Sequence, residues 1–449
     1  MSGTDGAARG DATPPSDEGS RTSGAQHVSA EAEARPTGTA GPRNTTAVEP
    51  RNTTAAQPHG KTVRPVTILA APLASPLVPP LVTTRALRIA LAGGGTGGHL
   101  VPGLNLLDFG VREARVGAVH WFTTGRPVEE RALAFLEKRL GVPATTSALG
   151  LEGTSGAPSR LRQLIDLPRA VRRARRELRA FDADVLLGTG GFGSTPGILA
   201  AKSLGIPIVL LEVNAVRGDA VRTLGFLAAR VCHAMHGSLP RAKSESVSAA
   251  ANRRDVFTGP PDPPVVPRRR TGARLLVLGG SQGAGALNTF IARALPTFAA
   301  AGIDVVHQTG PNKRDTSPAD SAHYRAFEYS DDVPSELAAA TLVLCRGGAS
   351  TLVEVAAARV SAIVVPYPHH KDRHQWRNAA ELGEGVLVVE ESTFASEAGA
   401  AALAARLVEL ASPSGAQARE AMEAALAHAL PSGGSRALFS VLDAVARAH

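Results

Sequence analysis

Gly93-Gly94-Gly95-Thr96-Gly97-Gly98-His99 sets an imidazole directly behind a glycine run. An apolar stretch precedes the run, and Leu100, Leu104, Leu107 and Val111 follow at helical spacing, so it reads as a strand-to-helix turn. Glycines there allow a tight bend and close backbone approach, while the helix start offers free N–H groups to an anion or a developing charge. A helix start also disfavours the imidazolium, which suits His99 to act as a neutral general base. A purely structural histidine is the plain alternative. The same letters satisfy G-x-G-x-x-G, a dinucleotide fingerprint that expects an acid at the end of the second strand. That strand ends Thr123-Thr124-Gly125-Arg126, with no acid, although Arg126 would suit a 2′-phosphate.

Gly279-Gly280-Ser281-Gln282-Gly283-Ala284 is a second such turn, whose amides and Ser281 hydroxyl suit a pyrophosphate. A third begins at Arg346-Gly347-Gly348 and runs Ala349-Ser350-Thr351-Leu352-Val353-Glu354. Glu354, one turn into that helix, could accept from both hydroxyls of a ribose. A hydroxyl residue with an acid three positions on is equally a capping box, and the segment alone leaves both readings open. His369-His370-Lys371-Asp372-Arg373-His374-Gln375-Trp376-Arg377-Asn378 carries three histidines. Adjacent rings such as His369 and His370 converge poorly on a metal, so sugar recognition by Asp372, Gln375 and Asn378 is the preferred reading. Asp182-Ala183-Asp184 spells the D-x-D of metal-dependent sugar transfer, but at the amino end of a strand, away from any site. Residues 160–179 hold eight Arg against Asp166 and Glu177, a net +6. Anionic lipid or nucleic acid would suit that charge, a solvated helix face being the bland option. No aromatic residue is available there to stack on bases, which argues against single-stranded nucleic acid.

Alternating strands and helices must position these turns. Strands read at 86–92, 118–124, 184–190 and 206–212, and again at 273–280, 303–310, 341–348, 362–367 and 385–390. The proline-rich text of 252–272 between them reads as irregular linker. Two doubly wound parallel sheets follow from this pattern, with ligand expected beyond the strands' carboxyl ends, in the cleft between domains. Pro168 is expected to divide the basic segment into two helical stretches.

The chain has 449 residues, 43% of them hydrophobic, and a formal charge of +8, carried mainly by Arg. Its length suits two domains. Cys232 and Cys345 are too few for a disulfide scaffold and lie in apolar runs, which fits reduced, buried thiols. Residues 1–64 hold only Met1, Val28, Val48 and Val63 as large hydrophobic side chains, so 1–85 reads as a disordered extension. It shows no secretory signal, and the apolar stretch 66–83 is broken by four prolines. A soluble or peripheral protein is expected.

Six blocks carry a resemblance: GGGTGGHLVPGL (93–104), LGTGGFGSTPG (187–197), SLGIPIVLLEVN (203–214), VLGGSQGAGALN (277–288), CRGGASTLVEVAAA (345–358) and VPYPHHKDRHQWRNA (365–379). In this order they resemble the MurG family of bacterial peptidoglycan glycosyltransferases, in glycosyltransferase family 28, across about residues 86–445. The resemblance implies a GT-B fold: an acceptor and membrane-binding domain at 86–258, a linker at 259–272, and a donor domain at 273–449 whose last helix packs back on the first. It implies inverting, metal-independent transfer, without a cofactor, from UDP-N-acetylglucosamine to the C4 hydroxyl of undecaprenyl-diphospho-muramoyl-pentapeptide. The place implied is the cytoplasmic face of the cell membrane, peripherally bound, with 160–179 against anionic lipid and no nucleic-acid partner. By position, Thr96, Gly97 and Gly98 line the cleft, His99 is the base, and Asn214 is a substrate-binding asparagine. Ser281 would face the phosphates, Ala349, Ser350, Thr351, Leu352, Val353 and Glu354 the uridine and ribose, and Gln375 the sugar.

Departures from the family pattern are specific. His374 stands for the first of two paired glutamines, Phe192 for a tyrosine and Ser330 for an isoleucine that packs on the uracil. A donor-binding arginine is absent from Gly259-Pro260-Pro261-Asp262-Pro263, with Arg268, Arg269 and Arg270 the nearest substitutes. These leave room for a GT-B enzyme acting on another lipid, a sugar-nucleotide epimerase, or a non-catalytic UDP-sugar-binding protein.

Overall fold

The computed structural model describes residues 85–95, 97–150, 160–240, 254–315, 317–330 and 332–449, all within one compact unit. The N-terminal extension up to residue 84 and Thr96 lie outside the described residues, as do the side chains of 160–164.

The first half contains β1 (Leu87–Gly93), α1 (Gly97–Arg112), β2 (Val116–Thr123), α2 (Pro127–Leu133), α3 (Leu136–Leu140) and β3 (Ala144–Ala148). It continues with α4 (Arg160–Phe181), β4 (Val185–Gly190), α5 (Thr195–Leu204), β5 (Ile208–Glu212), α6 (Asp219–Leu224), β6 (Arg230–His233) and β7 (Asp255–Phe257). The second half contains β8 (Arg274–Leu278), α7 (Gly285–Ala300), β9 (Asp304–Gln308), β10 (Tyr324–Phe327), α8 (Val333–Ala339), β11 (Leu342–Cys345) and α9 (Ala349–Ala358). There follow β12 (Ala362–Val364), α10 (His374–Ala380), β13 (Val386–Val388), α11 (Glu397–Ala411), α12 (Ala416–Ala429) and α13 (Gly434–Arg447).

The seven strands of the first half run β3-β2-β1-β4-β5-β6-β7 and the six of the second β10-β9-β8-β11-β12-β13, every pair parallel. Helices cover both faces, so strand residues such as Ile89, Ala90, Leu91 and Ala92 are buried regardless of which face they point to. Strand order reverses beside β1 and beside β8, and the glycine-rich turns leave the carboxyl ends of those strands. Two parallel α/β sheets of this order are the fold class expected from the sequence.

One helix and four strands differ from the sequence reading. Asp255–Phe257, inside the proline-rich text, is an edge strand beside β6. Helix α4 runs through Pro168 as one helix of 22 residues. Ala170, Ala174 and Leu178 recur every four residues and bury against the first sheet, while Arg169, Arg172, Arg173, Arg176 and Arg179 stay exposed. The remaining differences are three strands: β6, and ATTSA (β3) and YRAF (β10), the last two too short or too polar to show an apolar run. Among the described residues, no helix is long and apolar enough to cross a membrane.

The chain ends by returning to its first half. Leu438, Phe439, Leu442 and Val445 of α13 bury in the cluster that holds Leu104 and Leu107 of α1. A Cβ on Gly110 of α1 would overlap the Phe439 ring, so this contact needs glycine there. Asp262 fixes the start of α13, accepting from the amides of Gly433 (2.7 Å) and Ser435 (3.0 Å). The turn that lacks the family's arginine is thus a helix cap.

Candidate active site

The loop after β1 is shaped by a carboxylate that sequence reading passed over. Glu129, fully buried in α2, accepts from the amides of Gly95, Thr124 (2.9 Å), Gly125 (2.8 Å) and Arg126 (2.9 Å), and from Thr124 Oγ1 (2.9 Å). Arg126 Nη1 donates to the Gly95 carbonyl (2.9 Å). Arg126 is therefore part of the loop's frame, which removes the one feature that favoured a 2′-phosphate. An acid at the third helical position after Thr-Thr-Gly-Arg was the available signal for Glu129.

His99, in the first turn of α1, makes a 2.9 Å bond through Nδ1 to the Thr189 carbonyl. A carbonyl only accepts, so Nδ1 carries the proton and Nε2 keeps its lone pair. Gly190 and Gly191 fold over the ring with φ of 101° and 75°, and a Cβ on either would come within 3.4 Å of it. Burial holds the imidazole pKa below its ordinary 6.5, the Thr189 bond opposing this and the nearby His374 adding to it.

Facing this loop are the helix starts of the second half. Ser281 Oγ accepts from Gly97 N and Ser350 Oγ donates to the Gly98 carbonyl, both at 3.4 Å. Along α9, Leu352 is fully buried in the core behind the helix, and Ala349 and Val353 pack into the apolar cluster of the first half. Leu352 therefore brings no side chain to the cleft, contrary to a uridine-contacting role for it. Glu354 lies one turn in, and burial raises its carboxyl pKa to about 7. Gln375 Oε1 accepts from the amides of Tyr367 (2.9 Å) and Gly347 (3.2 Å), joining the loops before α9 and α10.

Asn214 sits at a clasp between the halves. Its Oδ1 accepts from Asn378 Nδ2 (3.1 Å), and Asn378, fully buried, also donates to the Gly347 carbonyl and accepts from Ala215 N (2.8 Å). Glu381, at the end of α10, accepts from the amides of His236 and Gly237.

Other sequence candidates fall elsewhere. Arg268 and Arg270 both pair with Glu423 of α12, and Arg270 also donates to the Ala340 carbonyl at the amino end of β11. The structure thus gives neither to the donor cleft. Asp184 accepts from the Arg88 amide (2.7 Å) at the amino end of β4, off the site. Ser330 Oγ accepts locally from Asp332 N (3.1 Å), and Phe192 is partly exposed just past Gly191. Cys232 and Cys345 are buried, and desolvation pushes both thiols up to about 12.

Residues 89–233 match the N-terminal domain of glycosyltransferase family 28 and residues 274–433 its C-terminal domain. A UDP-N-acetylglucosamine--N-acetylmuramyl-(pentapeptide) pyrophosphoryl-undecaprenol N-acetylglucosamine transferase of Aeromonas hydrophila is 39% identical over 331 residues, 71% of this chain and 86% of that protein. Its namesake from Pseudomonas fluorescens is 37% identical over 335 residues, 72% of this chain and 89% of that protein. Among solved structures, Acinetobacter baumannii MurG superposes with a TM-score of 0.54 at 24% identity, covering 80% of this chain and 99% of that one. A spinosyn forosaminyltransferase gives 0.55 at 15% identity with 80% and 99% coverage, a likeness of fold alone.

Proposed function

This chain belongs to glycosyltransferase family 28, among the N-acetylglucosaminyltransferases named above, and from that footing we propose its reaction. It transfers N-acetylglucosamine from UDP-N-acetylglucosamine to the C4 hydroxyl of undecaprenyl-diphospho-muramoyl-pentapeptide, forming a β-linked disaccharide lipid for peptidoglycan. The observation that carries the mechanism is the fixed tautomer of His99, with Nδ1–H on the Thr189 carbonyl. Nε2 takes the acceptor hydroxyl's proton as that oxygen attacks the anomeric carbon, and the bond to UDP breaks on the opposite face, inverting the centre.

Charge develops on the departing diphosphate, where the helix starts at Gly285 and Ala349 present free amides. Ser281 reaches the same region, and Glu354 takes the ribose hydroxyls. Gly97, Gly98 and Ser350 close the cleft around the reacting atoms. Gln375, held at Oε1, offers its amide nitrogen to the sugar. Asn214 acts through its clasp with Asn378, keeping the halves in register, rather than as a free ligand. Residues 86–258 serve the acceptor and 273–449 the donor.

The acceptor is a lipid, so the enzyme works at a membrane surface. The exposed arginines of α4 suit the anionic lipids of the cytoplasmic face, where the protein binds peripherally. Labelled UDP-N-acetylglucosamine incubated with the lipid acceptor tests the assignment. Label moving into the lipid is expected. Epimerised or hydrolysed sugar nucleotide with the lipid unlabelled would sink it.

A further inference from the structure

Glu129 is bonded to the loop that leads into His99, not to the imidazole. Its two oxygens have different neighbours. Oε2 accepts from the amides of Thr124 (2.9 Å), Gly125 (2.8 Å) and Arg126 (2.9 Å) and from Thr124 Oγ1 (2.9 Å), all just past β2. Oε1 accepts from the Gly95 amide, in the loop after β1. Arg126 Nη1 donates to the Gly95 carbonyl (2.9 Å), so both polar groups of Gly95 are held. Gly95 has φ of 90° there, and α1 opens at Gly97 with His99 in its first turn.

Layers of backbone connect this carboxylate to the base. A Cβ on Gly94 would overlap Glu129 Oε1, so the chain lies directly on the carboxylate. A Cβ on Gly191 would lie 3.3 Å from the Gly94 carbonyl and 3.4 Å from His99 Nε2. The order of contact is therefore Glu129, Gly94, Gly191 and the imidazole, reached at its unprotonated nitrogen. Glu129 also acts through space. Burial lowers the His99 pKa most, and Glu129 is among the groups that raise it.

We propose that Glu129 is a positioning residue for the transfer: through the Gly95 amide it sets the start of α1, and with it the place of His99 Nε2 against the acceptor hydroxyl. This rests on the reading of His99 as the base. In that step the hydroxyl oxygen bonds to the anomeric carbon, the bond from that carbon to UDP breaks, and the hydroxyl proton passes to Nε2. Glu129 exchanges no proton. Its negative charge, beyond Gly94 and Gly191, favours the imidazolium that forms.

Glu129→Gln in the full-length protein is a selective test. A carboxamide has one acceptor oxygen, which the four donors at Oε2 claim, so its NH2 group turns toward Gly95 and releases the β1 loop alone. At saturating donor kcat should fall about 10–100-fold, a misplacement of about 1 Å being worth about 10², while UDP affinity by calorimetry is unchanged. The acid limb of the kcat profile should move to lower pH, because a charge favouring the imidazolium is gone. A loop that merely frayed would expose the ring and move that limb up toward 6.5. Glu129→Asp keeps the charge but is one methylene short of spanning both loops, so kcat should fall with the acid limb in place. Circular dichroism checks that each variant folds. Arg126→Met frees the same Gly95 peptide from its carbonyl side and should also lower kcat, which keeps the test open if Glu129→Gln does not fold. Parental kcat in Glu129→Gln, or in Arg126→Met where the first is unfolded, would overturn the proposal, as would an acid limb moved upward. Turnover that survives His99→Ala would defeat the reading of His99 and the proposal with it. Turnover lost in His99→Ala but parental in Glu129→Gln confines the failure to Glu129.

Discussion

His99 takes its tautomer and its lowered pKa from neighbours distant in sequence. The Thr189 carbonyl fixes its tautomer, and Gly190 and Gly191 bury its ring. Because burial lowers the pKa, the neutral, basic form is dominant through pH 7 and 8, and it is lost only as pH falls below 6.5. At saturating donor, kcat should therefore fall on the acid side with an apparent pKa below 6.5 and stay level above it. His99→Ala should cut kcat by about 10²–10⁴ while calorimetry shows UDP affinity unchanged; undiminished turnover would remove His99 as base. The Glu354 pKa is displaced in the opposite direction, upward, although its proposed role is likewise lost on the acid side. Its pKa of about 7 means that donor binding, which wants an ionised acceptor of hydroxyl protons, strengthens as pH rises through 7. Between pH 7 and 6 the UDP association constant should drop, approaching about tenfold per unit. Glu354→Gln should bind weakly at every pH without that slope, and a slope that persists would assign it to another group. The positions of His99 and Glu354 in the fold were legible because one directly follows a glycine turn and the other lies one turn into its helix. Glu129 was not, because its partners gather only when the loops after β1 and β2 meet.

At the scale of elements, the glycine turns and long apolar strands were legible, whereas β3, β6, β7 and β10 were not. Buried parallel strands advertise themselves as apolar runs, but edge strands need bury little, so ATTSA and a three-residue strand among prolines give no such signal. Pro168 was read as a break, yet α4 continues through it, because Ala170, Ala174 and Leu178 dock the later turns on the sheet. The single helix has a consequence for the membrane. It keeps Arg172, Arg173, Arg176 and Arg179 on one rigid element, exposed while the alanines and Leu178 face inward. Each arginine near an anionic surface contributes about 1 kcal/mol. Replacing these four by glutamine should lower binding to phosphatidylglycerol vesicles by at least about tenfold, with the deficit shrinking as salt is raised. Vesicle co-sedimentation reads this directly, and equal binding by variant and parent would place the lipid contact elsewhere.

For the whole molecule, one of the first sheet's two core clusters is shared between the halves, whereas the second sheet's two clusters are its own. The chain's last helix completes the first half, while Asn378 and Glu381 of the second half satisfy backbone and side-chain groups of the first. A paired-domain pattern read along the sequence suggests two units in series. It cannot show that α13, written at the far end, belongs with α1, because amphipathic spacing tells that a helix has a buried face but not what covers it. The Gly110–Phe439 fit and the buried pair of Arg115 with Asp443 supply that information. Because the halves share that cluster, unfolding of the second half removes part of the first sheet's core. Phe439→Ala leaves a cavity in the first sheet's cluster and should cost about 3–5 kcal/mol. Scanning calorimetry should show the main transition of the parent move to lower temperature as one event, carrying both sheets. Two separated transitions, with only the earlier one displaced, would mean that the second sheet stands without the helix and that the halves are coupled through the clasp alone.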